Sequence, residues 1–136
     1  MRHFLAKTEP STYSISDLAR DKQTTWDGVR NPQALQAIRA MKRGDIVLIY
    51  HSTGESAIVG WAKCMSDSRP DPADPKLAVV DLAYGGQLDP PTTLAQVKES
   101  GLFPHFALVR QSRLSTMEVT PDFLDWLRAR YPKVRF

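Results

Sequence analysis

Apolar residues gather in four short stretches well before any helical spacing becomes prominent. Residues 2–7 are half-apolar, and Asp45–Ser52 (DIVLIYHS) enters from a Gly44-Asp45 turn. Ala57–Met65 (AIVGWAKCM) follows the turn Thr53-Gly54-Glu55-Ser56, and Leu77–Tyr84 (LAVVDLAY) ends at Gly85-Gly86. Each has the length of a strand and is bounded by turn-forming residues, so the pattern predicts four strands, the second and third joined as a hairpin. Weaker runs at Phe106–Gln111 and Arg113–Val119 predict a fifth and a sixth.

Helical spacing falls between and after these runs. Asn31 is placed to cap a helix with Pro32 at its first position, after which Leu35, Ile38 and Met41 recur on one side. Thr93 is placed to cap a short helix through Lys98 that Gly101 ends. Thr120-Pro121 opens a last helix whose Phe123, Leu124, Leu127 and Ala129 form a mixed apolar face. A turn is predicted near Ser16-Asp17-Leu18. The segment Arg69–Pro75 holds three prolines and is predicted to be a surface loop outside any sheet. The links between the central strands are too short for helical crossovers, which disfavours parallel α/β winding. The expected fold is α+β: a small curved sheet or barrel with flanking helices, one domain over residues 1–136.

Composition adds bounds. With 42% hydrophobic and 24% charged residues, the chain is an ordinary globular one and long enough to bury a core. Its single cysteine, Cys64, lies in an apolar strand and is expected to be a buried, inert thiol. The N-terminus lacks the apolar run of a signal peptide, and no window approaches a membrane span, so the cytoplasm is expected, or the nucleus of a eukaryote. The net charge of +3 hides an uneven distribution. Residues 1–45 carry eight basic against five acidic groups, residues 46–105 four against seven, and residues 106–136 six against three. If the two basic ends meet in space, they form one face suited to phosphates.

The motifs of common enzymes are missing: no Gly-rich phosphate loop, no HExxH and no CxxC pair occurs. His3, His51 and His105 are not at ligand spacing, and no metal, cofactor or catalytic residue is expected. A triad of Asp27, His51 and either Ser52 or Ser115 can be drawn, but no nucleophile elbow supports it. Two polar-aromatic clusters remain, Lys7–Ser14 (KTEPSTYS) and Trp26–Pro32 (WDGVRNP). Trp26 is either a core plug or an indole face offered to a ligand. Beside it Asp27 accepts hydrogen bonds, Arg30 donates them in a planar fork, and Asn31 does both unless capping occupies it. A π-face with such neighbours suits a nucleobase. Trp61 and Trp126 are expected in the core, and Tyr50 stands either in a sheet face or at a pocket mouth.

In order, KTEP…YS, WDGVRNPQA, GDIVLIYHS, IVGWA, PDP, VDL and LVRQSRLS resemble the EVE domain family, over Lys7 to Val119. The resemblance implies a PUA-like curved mixed sheet or pseudo-barrel, similar to PUA and YTH modules. YTH domains read a methylated adenine in an aromatic cage, and EVE domains are associated with modified bases, notably modified cytosines in DNA. Trp26 matches the position of a cage tryptophan, with Asp27 placed for a polar base contact. Lys7, Glu9, Asn31, Tyr50, His51 and Ser52 occupy motif positions around one cleft. Arg30, Arg110 and Arg113 suit phosphates, and Ser115 suits the pocket. Apart from Trp61, no second tryptophan stands in this region, so the other cage walls are unassigned. The expectation is a monomer that binds DNA or RNA carrying a modified base, without catalysis and without a membrane. The alternatives are an RNA-binding accessory protein of the PUA type with no preference for a modified base, and an enzyme acting on a nucleotide or small molecule through Asp27 and His51.

Overall fold

The computed structural model describes residues 1–136. Seven strands and five helices follow one another along the chain. Strand β1 (His3–Thr8) leads to helix α1 (Ile15–Asp21), strand β2 (Gln23–Trp26) and helix α2 (Pro32–Ala40). Next come β3 (Ile46–His51), β4 (Ala57–Cys64), β5 (Arg69–Pro70) and β6 (Ala78–Thr93). Helices α3 (Leu94–Glu99) and α4 (Ala107–Arg110), strand β7 (Thr116–Glu118) and helix α5 (Pro121–Arg130) complete it. The sheet order is β2-β6-β4-β3-β1-β7, with β5 paired to β6. Every pair is antiparallel except β1 with β3, where Leu5 stands beside Leu48. A mixed, curved sheet with flanking helices is thus the fold, and no helix is long and apolar enough to cross a membrane.

Alternation within the strands splits the core between the two faces of the sheet. On one face Leu5, Leu48, Tyr50 and Ile58 meet Phe103, Phe106, Phe123 and Leu127. On the other, Phe4, Ala6, Val47, Ile49 and Cys64 meet Leu18 of α1 and Leu35 and Ile38 of α2. Burial pushes the Cys64 thiol up to about 12, as expected of an inert interior cysteine. The caps form where the pattern placed them: Asn31 accepts from the Ala34 N–H at 3.0 Å, and Thr93 shares a capping box with Gln96. The turn at residues 16–18 extends into the two turns of α1, because Ser14 and Asp17 form a second capping box.

Four expectations change. Phe106–Gln111 is not a strand: the Val109 and Arg110 N–H groups both donate to the Phe106 carbonyl, making the short helix α4. A brief apolar run has no period of its own, and packing of Phe106 and Leu108 decided it. Arg69–Pro70 is not wholly loop, since it pairs with Val79 and Ala78, and Pro70 is tolerated there because the pairing is only two residues long. Gly85-Gly86 does not stop β6. A side chain on Gly85 would overlap the Trp61 ring, so the glycines clear a bed on which Trp61 lies. Strand β6 runs on to Thr93, with residues 88–91 bulged between the pairs Gly60–Gln87 and Ile58–Thr92. Finally β2, polar in sequence, is a strand that hydrogen-bonds β6 from Gln23–Ala83 to Trp26–Val80.

Candidate functional site

Strand β2 opens the sheet order and β1 and β7 close it, yet all three ends border one cleft. Thr24, Thr25 and Trp26 of β2 face Lys7 and Thr8 of β1 and Ser115 just before β7. The sheet therefore curls on itself without closing, and the gap is a cavity of about 470 Å³, well within the range of small-ligand sites. Glu9, Thr12 and Tyr13 contribute one wall, and Asp27, Gly28, Val29 and Arg30 another.

Local structure fixes these walls. The Thr8 hydroxyl donates to the Tyr13 carbonyl at 2.7 Å, and the Thr12 and Tyr13 N–H groups donate to the Glu9 carbonyl, closing the KTEPSTY turn. The Thr53 hydroxyl donates to Glu9 Oε1 and holds that carboxylate. Tyr13 stands edge-on to Trp26, with ring centroids 6.3 Å apart at 80°, and its hydroxyl donates to Asp21 at 2.9 Å. Asp21 and Asp17 in turn accept from Arg20. Gly28, at φ +78°, takes the left-handed turn that carries the chain from β2 to the α2 cap. Trp26 is both things its sequence context allowed: its body belongs to the core and it is 9% exposed, while its margin lines the cleft.

A second cavity of about 300 Å³ is bordered by Asn31 and Gln33 from the start of α2 and by Arg110 to Leu114. Arg110 and Arg113 are exposed, and Arg110 meets His105 Nδ1 at 3.0 Å. The four ion pairs of the molecule join Arg2–Glu118, Arg20–Asp17, Arg20–Asp21 and Arg69–Asp81. Lys7, Arg30, Arg110 and Arg113 take part in none of them. The basic N- and C-terminal regions do meet, since β1 pairs with β7.

The sequence-derived residues sort accordingly. Lys7, Glu9, Trp26, Asp27, Arg30 and Ser115 share the cleft, and Asn31, Arg110 and Arg113 border the neighbouring cavity. The Asn31 side chain oxygen is taken by its cap. Tyr50, His51 and Ser52 line neither. Tyr50 is buried at 3% exposure beneath the Lys7 ammonium. His51 Nε2 accepts from the Ile15 N–H at 3.1 Å, so its imidazole serves α1, and burial lowers its proton affinity. Ser52 donates through its backbone to Thr8. Asp27 and His51 share no cavity, so a triad through both is not assembled. Sequence reasoning missed Tyr13, Val29 and the threonines 8, 12, 24 and 25. The β-branched pair Thr24-Thr25 before Trp26 was the available sign of a strand edge.

A curled mixed sheet whose two ends flank one polar-aromatic cleft defines a PUA-like α+β domain. The chain belongs to the EVE domain family, whose model matches residues 2–130. It is 31% identical to human thymocyte nuclear protein 1 over 161 aligned positions, covering 92% of this chain and 72% of that one. An NMR structure of a Rhodopseudomonas palustris protein superposes with a TM-score of 0.91 at 33% identity, covering 100% of this chain and 97% of the other. The crystal structure of human THYN1 in complex with 5-methylcytosine-containing DNA superposes with a TM-score of 0.86 at 27% identity, covering 95% and 96%.

Proposed function

We propose that this domain binds nucleic acid without catalysis, drawing one modified base into the cleft, with 5-methylcytosine in DNA as the first candidate. The observation that carries this reading is the Tyr13–Trp26 aromatic corner, set beside two carboxylates and flanked by cations that have no ion-pair partner. The complex of the human relative with 5-methylcytosine-containing DNA supports the choice of ligand.

The base lies against the Trp26 margin and the Tyr13 ring. Asp27 and Glu9 are of the kind that accept from the exocyclic amine of cytosine. Val29 offers the apolar surface beside an added methyl group. Arg30, Arg110 and Arg113 hold phosphates, which position the strand without reading it. Extrusion of a base costs a few kcal/mol, which stacking of ~1–3 kcal/mol and the phosphate contacts offset. A buried methyl adds about 0.8 kcal/mol, roughly fourfold in affinity, so selectivity for the modification is modest unless a polar mismatch enlarges it.

The test measures binding of single- and double-stranded oligonucleotides in matched pairs that differ by one modified cytosine or adenine, at two salt concentrations. A preference for one modified member supports the reading. Equal, salt-dependent binding of both members replaces it with a general nucleic-acid binder, and no binding at all ends it.

A further inference from the structure

Lys7 stands between the two cavities. It is the next-to-last residue of β1, beside Tyr50 in the parallel register, and its ammonium lies 5.5 Å from the centre of the Tyr50 ring. From there Nζ donates to the Ser112 carbonyl at 3.1 Å, while the Lys7 backbone N–H donates to the Ser115 carbonyl at 2.8 Å. Ser112 is inside the turn that the Leu114 N–H closes on the Gln111 carbonyl at 3.0 Å. Arg110 precedes this turn and Arg113 lies within it, both facing the second cavity, and the chain then passes Ser115 into the cleft. One side chain thus ties the wall of the cleft to the turn that carries the arginines.

The geometry suits positioning. The lysine stem is half-buried, and burial weakens proton binding at Nζ, so the ring and the carbonyl are what favour the charge there. Only one of its three N–H bonds has a protein acceptor, and no carboxylate neutralises it. Ser112 is exposed, and its neighbours in the turn lack side-chain hydrogen bonds to the body of the fold. Without the Lys7 side chain the turn keeps its anchor at Leu114 in the core and the main-chain bond at Ser115, but loses the contact at Ser112 that sets its exposed part, with Arg113, relative to the cleft.

We infer that Lys7 is a positioning residue for phosphate binding, coupling the Arg110–Arg113 turn to the cleft through the Ser112 carbonyl. This rests on the nucleic-acid half of the function proposed above and not on the choice of base.

A double-mutant cycle of Lys7→Met with Arg113→Ala tests it, with oligonucleotide affinity read across a salt series. The thermal midpoint of each variant is measured first, and Lys7→Gln replaces Lys7→Met if the latter does not fold. Coupling predicts that Arg113→Ala weakens binding severalfold in the parent and little in the Lys7→Met background. The slope of log affinity against log salt should fall by more than the ~0.9 that one lost phosphate contact explains, and Lys7→Arg should restore most of it. Independent, multiplying effects, or a slope change of one contact only, would overturn the inference and leave Lys7 a single charge. If matched modified and plain oligonucleotides bind alike while the cycle stays coupled, the base preference falls and the positioning role stands. If the wild-type chain binds neither, both fall.

Discussion

Removing the Trp26 ring is the sharpest perturbation of the proposed pocket, and two effects must be separated. Trp26 is 9% exposed and packed with Phe4, Leu35 and Val80, so Trp26→Ala empties a core position. That costs about 3–5 kcal/mol, against a total stability of about 5–15 kcal/mol for a domain. The margin facing the cleft is a smaller contribution. A lost base–aromatic contact of ~1–3 kcal/mol raises Kd roughly 5- to 150-fold. Working at low temperature, with a denaturant midpoint measured alongside, keeps the variant folded while binding is read. Trp126→Ala is the control. Trp126 packs against Phe103 and Phe123 in the opposite core, 5.5 and 5.6 Å between ring centroids, and borders neither cavity. It should lose stability yet bind oligonucleotides as the parent does. A folded Trp26→Ala that retains parental affinity and modification preference would refute the pocket, whatever its stability.

Three further outcomes follow from the geometry. Gly85→Ala drives a methyl into the Trp61 ring and should lower the denaturation midpoint by an amount corresponding to about 1–3 kcal/mol; an unchanged midpoint would mean the ring shifts freely. Asn31→Ala removes the acceptor for the Ala34 N–H and should cost about 1 kcal/mol in thermal unfolding, with binding lowered only if the second cavity deforms. His51 and His3 are both depressed below 6.5, chiefly by burial, so the unfolded chain takes up their protons first. Their contribution is complete above that value and declines as pH falls through it, and urea midpoints at about pH 8 and about pH 5 should differ accordingly. His51→Gln, whose amide oxygen can still accept from Ile15, should flatten part of that dependence; an equally steep profile would place its origin elsewhere.

Much of the fold was legible where local chemistry and packing agreed. The runs at residues 45–52 and 57–65 are strands because β-branched and aliphatic residues fill both faces of a central pair; capping side chains set the starts of α2 and α3, and Pro121 at the first position marks that of α5. The failures share one cause. Gly85-Gly86 reads as a stop by backbone preference, yet the reason for two glycines is a tryptophan on the neighbouring strand, 24 residues earlier. Strand β2 carries no apolar alternation because it is a short edge strand in which only Trp26 is buried, while Gln23 and Thr25 are exposed. The site was half legible. The WDGVR block reaches the cleft intact, but YHS ends a strand whose side chains Tyr50 and His51 are spent on supporting Lys7 and α1. Tyr13 went unassigned because nothing local marks a residue whose partner is 13 positions away across a turn.

The distribution of charge around the two cavities argues for a division of labour. Within the cleft, Glu9 and Asp27 balance Lys7 and Arg30 in formal charge, so a phosphate gains little by entering it, and the exposed Arg30 meets the backbone at its rim. In the neighbouring cavity Arg110 and Arg113 face Asn31 and Gln33, with no carboxylate on its walls. Phosphate is drawn to the second site, and the first is left to a group that is flat, uncharged and able to donate to carboxylates. A base bearing an exocyclic amine meets that description, and a base showing only carbonyls on that edge meets it poorly. Asp27→Asn tests the division directly: the amide introduces a donor where an acceptor stood, so discrimination among bases should shrink while the salt dependence, set mainly at the arginines, stays near its original slope. A change in slope without a change in discrimination would assign Asp27 to the phosphate path and dissolve the distinction between the two cavities.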